Sequence, residues 1–180
     1  MHKKNVMVFV LESFSAEHSA LLNPDLYPDG KGYTPFLDSL MRQGYYFPRA
    51  FACGRKSIDA LPSILASTPS MKMPFVTMPQ GMGEGMQMPK ILRGEGYQTL
   101  FFNGSPHGSM GFDAYASLAG IDRIYDGDDF DREYPGNNEF DGHWGIWDEP
   151  FIRYSGKVLD EVQEPFCATL FTITSHHPFR

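Results

Sequence analysis

Val6-Met7-Val8-Phe9-Val10-Leu11 is an unbroken apolar run rich in β-branched residues, and it stops at Glu12-Ser13-Phe14-Ser15. A run without the polar alternation of a half-solvated strand predicts a strand buried on both faces of a parallel sheet. Gln98-Thr99-Leu100-Phe101-Phe102 and Phe166 to Ile173 have the same character, and helix-like stretches separate all three. Strands alternating with helices, joined by right-handed crossovers, predict an α/β fold, a three-layer α/β/α sandwich with a mostly parallel central sheet. Ligands of such sheets bind beyond the carboxyl ends of the strands. Glu12 is therefore a candidate metal ligand or general base, with a solvated loop acid or helix-capping group as the alternative.

The stretches between the strands carry their own punctuation. Thr34-Pro35 supplies a cap followed by proline at the first helical position, and Phe36, Leu37, Leu40 and Met41 then share a face as far as Gly44, so a helix is predicted over Pro35 to Gln43. Met88 to Arg93, entered through Pro89, and Phe112 to Leu118 are predicted helices, and Ile121 to Tyr125 a short strand. Asp148-Glu149-Pro150 opens a helix that Gln163-Glu164-Pro165 closes. The stretch from Ala16 to Gly32 reads as turns on a surface excursion. Thr68 to Gly85 is rich in Met, Pro and Gly; without accompanying His or Cys its thioethers indicate adaptable packing, not a soft-metal site. Asp126 to Asp131 lacks the glycine and glutamate positions of a calcium-binding EF-hand loop and is read as a solvated acidic loop. Trp144 and Trp147 are expected to anchor the irregular segment that follows it.

Cys53-Gly54-Arg55-Lys56-Ser57-Ile58-Asp59-Ala60-Leu61-Pro62 joins an extended aromatic stretch to a helical one. Proline fits only the first turn of a helix, so Pro62 sets the helix start near Ser57 to Asp59. Ser57 then lies at a helix N-terminus, where orphan N–H groups and the positive dipole end favour an alkoxide or a phosphate. Arg55 and Lys56 add two cations beside it. The bland alternative is an N-capping serine beside a solvated basic turn. Asn103-Gly104-Ser105-Pro106-His107-Gly108 follows the second strand at the same carboxyl edge as Glu12, which makes Asn103 and His107 either ligand contacts or ordinary loop residues.

Composition narrows the classes. A chain of 180 residues with 42% hydrophobic content is long enough for one domain with a sizeable core. A net charge of −7 without a basic run argues against nucleic acid as a partner. No apolar run approaches the roughly 20 residues of a transmembrane helix, and Met1 to Asn5 lead into a strand without an apolar signal region, so the chain as given is expected to be soluble. Cys53 and Cys167 are too few for a disulfide framework.

Taken together, Asn5 to Phe14, Thr34-Pro35-Phe36-Leu37, Gly54 to Ala60, Gly96-Tyr97 before a strand, and Thr172-Ile173-Thr174-Ser175-His176-His177-Pro178-Phe179 resemble the alkaline phosphatase and sulfatase superfamily, in its branch of lipoteichoic acid synthases and related phosphoglycerol transferases. The resemblance implies that Glu12 is a metal ligand and that Ser57, at a position commonly threonine, is the nucleophile and also contacts the metal. It implies a substrate role for His176, whose motif contacts a phosphoglycerol head group. Asn103 and Lys56 are carried as further substrate contacts. The synthase branch follows the second strand with a histidine, a tryptophan and an arginine that hold the substrate phosphate. Here Asn103 replaces the first and Met110 to Phe112 occupy the rest, which leaves the choice of substrate open. The Asp-His metal-ligand pair that the family carries well downstream of the His-Pro-Phe motif is not in this sequence. The Cys-x-Pro-x-Arg motif of formylglycine sulfatases is not matched by Cys53 to Ser57.

The expectation is thus that residues 1–180 are the N-terminal portion of a single sulfatase-like catalytic domain, C-terminally truncated. Its activity would be that of a phosphoglycerol transferase or phosphodiester hydrolase using a divalent ion, Mn²⁺ ahead of Mg²⁺ or Zn²⁺. Lipid head groups such as phosphatidylglycerol would be donors, and glycan or glycerol hydroxyls acceptors. The family implies an extracytoplasmic domain of a membrane-anchored protein. The alternatives are a phosphoethanolamine transferase or sulfatase on the same scaffold, or a non-catalytic module that binds a lipid head group or a partner protein.

Overall fold

The computed structural model describes residues 2–70, 73–75, 78 and 85–178. Four strands, β1 (Val6–Val10), β2 (Gln98–Asn103), β3 (Arg123–Tyr125) and β4 (Phe166–Phe171), form one sheet in the order β1-β4-β2-β3, and every pairing is parallel. In register, Val6 lies opposite Cys167 and Gln98 opposite Phe166. Six α-helices are formed among the described residues: α1 (Pro35–Gln43), α2 (Ala60–Ala66), α3 (Met88–Gly94), α4 (Phe112–Leu118), α5 (Gly127–Glu133) and α6 (Asp148–Asp160).

Side-chain alternation along β2 makes the three layers. Phe101 points to one face and packs with Leu61 and Leu65 of α2 and with Phe112, Tyr115 and Ala116 of α4. Leu100 and Phe102 point to the other, where Phe130 of α5 and Phe151 and Tyr154 of α6 cover them together with Ala168 and Leu170 of β4. Both faces of β2 and β4 are therefore buried, as a continuous apolar run requires.

β1 departs from that expectation. It occupies an edge of the sheet formed by the described residues, and Val6 and Phe9 are 37% and 53% exposed. Its only strand partner there is β4. The acidic stretch also differs from the sequence reading. Asp126 caps α5 in a full capping box, its carboxylate accepting from the Asp128 and Asp129 N–H groups while the Asp129 carboxylate accepts from the Asp126 N–H. The capping box was hidden because Asp stands where Glu or Gln is usual, and because three further carboxylates around Gly127 read as solvated loop.

Residues Ser13–Ala52 form a compact unit of their own. Its centre is the buried Asp38 carboxylate, which accepts from Ser19 Oγ at 2.6 Å and from the Ala20 and Leu21 N–H groups. α1 begins at Pro35 as predicted, but Thr34 forms no side-chain cap; its hydroxyl donates to the His18 carbonyl instead. Asp38 is the buried residue of that helix, whereas Phe36 is 72% exposed. Most of the methionine-rich stretch, Met71 and Met82 included, lies outside the described residues.

Candidate active site at the carboxyl edge of the sheet

One cavity of about 280 Å³ opens at the carboxyl ends of the strands, and Glu12, Ser57, Asn103 and His176 all line it. These four come from segments up to 164 positions apart in the chain, and each follows or ends a strand or opens a helix, as the sequence pattern required. Ser57 is the first residue of a 3₁₀ turn, Ser57–Asp59, that runs into α2. The N-cap position belongs to Lys56, which has extended backbone and makes no side-chain cap. Lys56 is exposed and is not among the residues that line the cavity. The turn is held from behind by Asp59, which is 8% exposed and accepts from Ser70 Oγ at 3.0 Å. Gly54 is needed beside it, since a Cβ there would sit 2.5 Å from Asp59 Oδ2 and 2.6 Å from its Cβ.

Glu12 is positioned by the end of β4. Its N–H donates to Thr172 Oγ1 at 2.9 Å, and the Thr172 N–H donates to the Val10 carbonyl at 3.0 Å, so the chain ends leaving β1 and β4 are tied together. Asn103 closes the neighbouring pair. Its Nδ2 donates to the Phe171 carbonyl at 3.1 Å, and its Oδ1 accepts from both the N–H and the hydroxyl of Ser105. At 2% exposure, Asn103 forms part of the cavity floor with its amide already engaged.

His176 lies on a wall built by residues that the sequence did not mark as functional. The Asp148 carboxylate accepts from the Ile173 and Thr174 N–H groups at 2.8 and 3.0 Å, while the Asp148 N–H donates to Thr174 Oγ1 at 2.7 Å. Burial raises the Asp148 pKa even though those hydrogen bonds oppose the shift. Trp144 packs its ring on that of His176, centroids 4.3 Å apart, and its indole N–H donates to the His177 carbonyl at 2.7 Å. The Nδ1 of His176 faces the same carbonyl at 2.7 Å. A carbonyl only accepts, so Nδ1 carries a proton and Nε2 is left for a ligand.

The turn bearing His143 and Trp144 is itself fixed by Asp141, whose carboxylate accepts from the His143, Trp144 and Gly145 N–H groups. Burial pushes the Asp141 pKa up, but these three donors outweigh it and hold the carboxyl below its ordinary value. Gly145 meets the loop after β2 so closely that a Cβ would fall 2.2 Å from the Gly104 carbonyl oxygen, and the Ile146 N–H donates to that oxygen at 2.9 Å. His143, Trp144, Ser109, Met110 and Phe112 are among the other residues that line the cavity. Met110 has φ of 52°, a left-handed backbone that a non-glycine residue seldom adopts. Besides His176, the legible trace of this wall was Trp144; the amide donors that shape it carry no side-chain signature.

Glu12 and Ser57 offer two hard oxygen donors to one cavity, a donor type that suits Mg²⁺ or Mn²⁺ and is accepted by Zn²⁺. The residues present therefore fit a divalent ion to the extent of two protein ligands.

The family model described as Sulfatase matches residues 4–180. Among curated proteins, the chain is similar to the lipoteichoic acid synthase-like protein YvgJ of Bacillus subtilis, 28% identical over 179 residues, covering 98% of this chain and 27% of that protein. It is equally similar to lipoteichoic acid synthase 2 of the same organism, 28% identical over 180 residues, 98% of this chain and 26% of the relative. Among solved structures, the lipoteichoic acid synthase LtaP from Listeria monocytogenes superposes with a TM-score of 0.81 at 26% identity, over 97% of this chain and 41% of that one. A protein of the alkaline phosphatase superfamily from Vibrio parahaemolyticus shares the fold at a TM-score of 0.82 and 23% identity, over 98% and 42%. The chain thus spans about a quarter of the length of these curated relatives.

Proposed function

The chain belongs to the sulfatase family, in its lipoteichoic acid synthase-like branch, and from that premise we propose that residues 1–180 are the nucleophile-bearing N-terminal portion of a single phosphoglycerol-transferase-like catalytic domain. The observation that carries the reading is the meeting of Glu12, Ser57 and His176 around one cavity at the carboxyl edge of a parallel sheet. Ser57 is the nucleophile, Glu12 and Ser57 are the metal ligands in this chain, and His176, Asn103 and Lys56 serve the substrate. A divalent ion, Mn²⁺ ahead of Mg²⁺ or Zn²⁺, would lower the pKa of the serine hydroxyl and act as a Lewis acid on the phosphodiester.

The Ser57 Oγ attacks phosphorus, the bond to the lipid alkoxide breaks, and that alkoxide leaves with a proton. A glycerol or sugar hydroxyl, or water, then attacks the phospho-serine and regenerates Ser57. The 3₁₀ turn sets Ser57 at the cavity, where its hydroxyl is the nucleophile of this reading. His176 Nε2 accepts a head-group hydroxyl when neutral and donates to phosphate when charged. Trp144 and Met110 supply apolar surface to the cavity wall. Phosphatidylglycerol-like lipids are the donors by this reading, and the domain works outside the cytoplasm on a membrane-anchored protein. Among the described residues no helix is long and apolar enough to cross a membrane.

Two ligands hold an ion weakly, since a catalytic site normally uses at least three and an open position. The 180-residue chain is accordingly expected to be inert. A non-catalytic, head-group-binding module is the second reading, favoured by the Asn103 amide being engaged with the Phe171 carbonyl and with Ser105. Hydrolysis of a chromogenic phosphodiester in Mn²⁺ by the chain, by a version extended to the length of the relatives' domain, and by that version with Ser57→Ala tests both. Activity only in the extended protein, abolished by Ser57→Ala, is expected; activity unchanged by Ser57→Ala removes Ser57 as nucleophile, and an inert extended protein favours the binding module.

A further inference from the structure

Away from the Glu12 and Ser57 cavity, His107 Nδ1, Asp113 Oδ2 and Asp126 Oδ2 lie within 4.8 Å of one another. The ring nitrogen is 2.7 Å from Asp126 Oδ2 and 3.4 Å from Asp113 Oδ2. The three residues come from separate parts of the fold: the loop after β2, the first turn of α4, and the junction of β3 with α5. We propose that these three atoms form a second divalent-cation site, of the zinc class, which ties the loop after β2 to α4 and α5.

Three features distinguish this group from an ordinary exposed ion pair. Both carboxylates are shielded, with side chains 14% and 8% exposed for Asp113 and Asp126, while the imidazole at 69% leaves an entry path. Asp126 Oδ1 is held by the Asp128 and Asp129 N–H groups, which leaves Oδ2 turned to the His107 ring nitrogen at 2.7 Å. The loop cannot drift from these partners, because the Gly127 N–H donates to the Ser105 carbonyl at 2.9 Å and a Cβ on Gly127 would fall 2.7 Å from the Gly104 oxygen.

Charge argues the same way. Asp128 and Asp129 stand beside the group around a second cavity, with Arg132 as the fixed cation there, and Arg132 is bonded to Asp129. Two shielded carboxylates converging on one point need positive charge between them. One nitrogen and two carboxylate oxygens are a borderline-hard set suited to Zn²⁺, with water from the cavity as the fourth ligand. Tetrahedral zinc with bonds of about 2.0–2.2 Å sets its ligands about 3.3 Å apart. The 3.4 Å spacing already fits, and the 2.7 Å spacing must widen by about half an ångström as the ion replaces the proton shared by His107 and Asp126. The ion would brace the loop that follows Asn103 and carries Ser105, without belonging to the Ser57 chemistry.

The test is titration of the chain with Zn²⁺ alone against a chromogenic chelator, with circular dichroism recorded on each variant. His107→Ala and Asp113→Asn leave the α5 cap intact, and each is expected to weaken one zinc equivalent at least tenfold. Glu12→Gln is expected to leave that equivalent in place, and the ¹⁵N resonance of His107 Nδ1 should move on addition of zinc. No zinc binding by the unaltered chain, equal binding by the His107→Ala and Asp113→Asn variants, or loss of the same equivalent in Glu12→Gln would each overturn the proposal.

Discussion

β1 and β2 are near twins in sequence and opposites in environment. VMVFV leads through Leu11 to Glu12 and the apolar centre of QTLFFN leads to Asn103, so each reaches a polar residue at the carboxyl edge, yet β2 is buried at five of its six positions whereas β1 is buried at none. The difference comes from neighbours. β2 lies between β4 and β3, with α2 and α4 on one face and α5 and α6 on the other; β1 has β4 on one side. An apolar run reports a strand's capacity for burial, and the strand order reports how much of that capacity is used.

Truncating the two strands sharpens this contrast most. Phe101→Ala removes a fully buried ring from the packing of α2 and α4, and the expected loss is about 3–5 kcal/mol. Phe9→Ala, at 53% exposure, is expected to cost under about 1 kcal/mol. Urea unfolding of the two variants measures the difference, and equal losses would mean that β1 is packed in solution as tightly as β2.

The same contrast recurs at the carboxyl edge. On the β2 side the loop at Gly104 meets the backbone of Gly145, whereas on the Ser57 side Gly54 meets the side chain of Asp59. Backbone yields less than a side chain, so Gly145→Ala is expected to cost about 2–3 kcal/mol and Gly54→Ala about 1–2 kcal/mol. Thermal melting of both variants gives the order. The reverse order would identify the Ser57 turn, not the Trp144 turn, as the tighter part of the site.

What was legible in the sequence follows from these environments. The parallel sheet, α1 and α4 to the residue, and the meeting of Glu12, Ser57 and His176 at one edge were readable because hydrophobic period and turn residues are local signals. The edge position of β1 depends on strand order, which no local pattern encodes. α5 was hidden because a capping box built from aspartates is indistinguishable by composition from a solvated acidic loop. The roles of Asp59, Asp148 and Thr172 were invisible for a related reason: Asp148 and Thr172 accept from backbone N–H groups, and Asp59 from the Ser70 hydroxyl, that only the fold brings close. The zinc-class cluster spans 19 positions with no metal-ligand spacing, so only the convergence of three elements reveals it.

The smallest effect expected concerns Asp148, the residue that fastens the His176 wall to the start of α6. Burial disfavours its charge more than the Ile173 and Thr174 hydrogen bonds favour it, so its folded pKa lies above the ordinary 3.8. A folded-state pKa that is raised means that the protonated carboxyl is the form the fold prefers. This contribution to stability is complete below the unfolded pKa and is lost as the pH rises through the raised folded value. Asp148→Asn cannot titrate, and it retains an oxygen for one of the two N–H donors while setting an NH₂ against the other, at a cost of about 1 kcal/mol. The melting temperature of the unaltered protein relative to Asp148→Asn should therefore be highest near pH 3 and should fall as the pH is raised past 3.8 toward neutrality, with the variant serving as the baseline for every other titrating group. An advantage that grows with pH instead would mean that the two backbone donors outweigh burial, and that the ionised carboxylate is what holds the His176 wall in place.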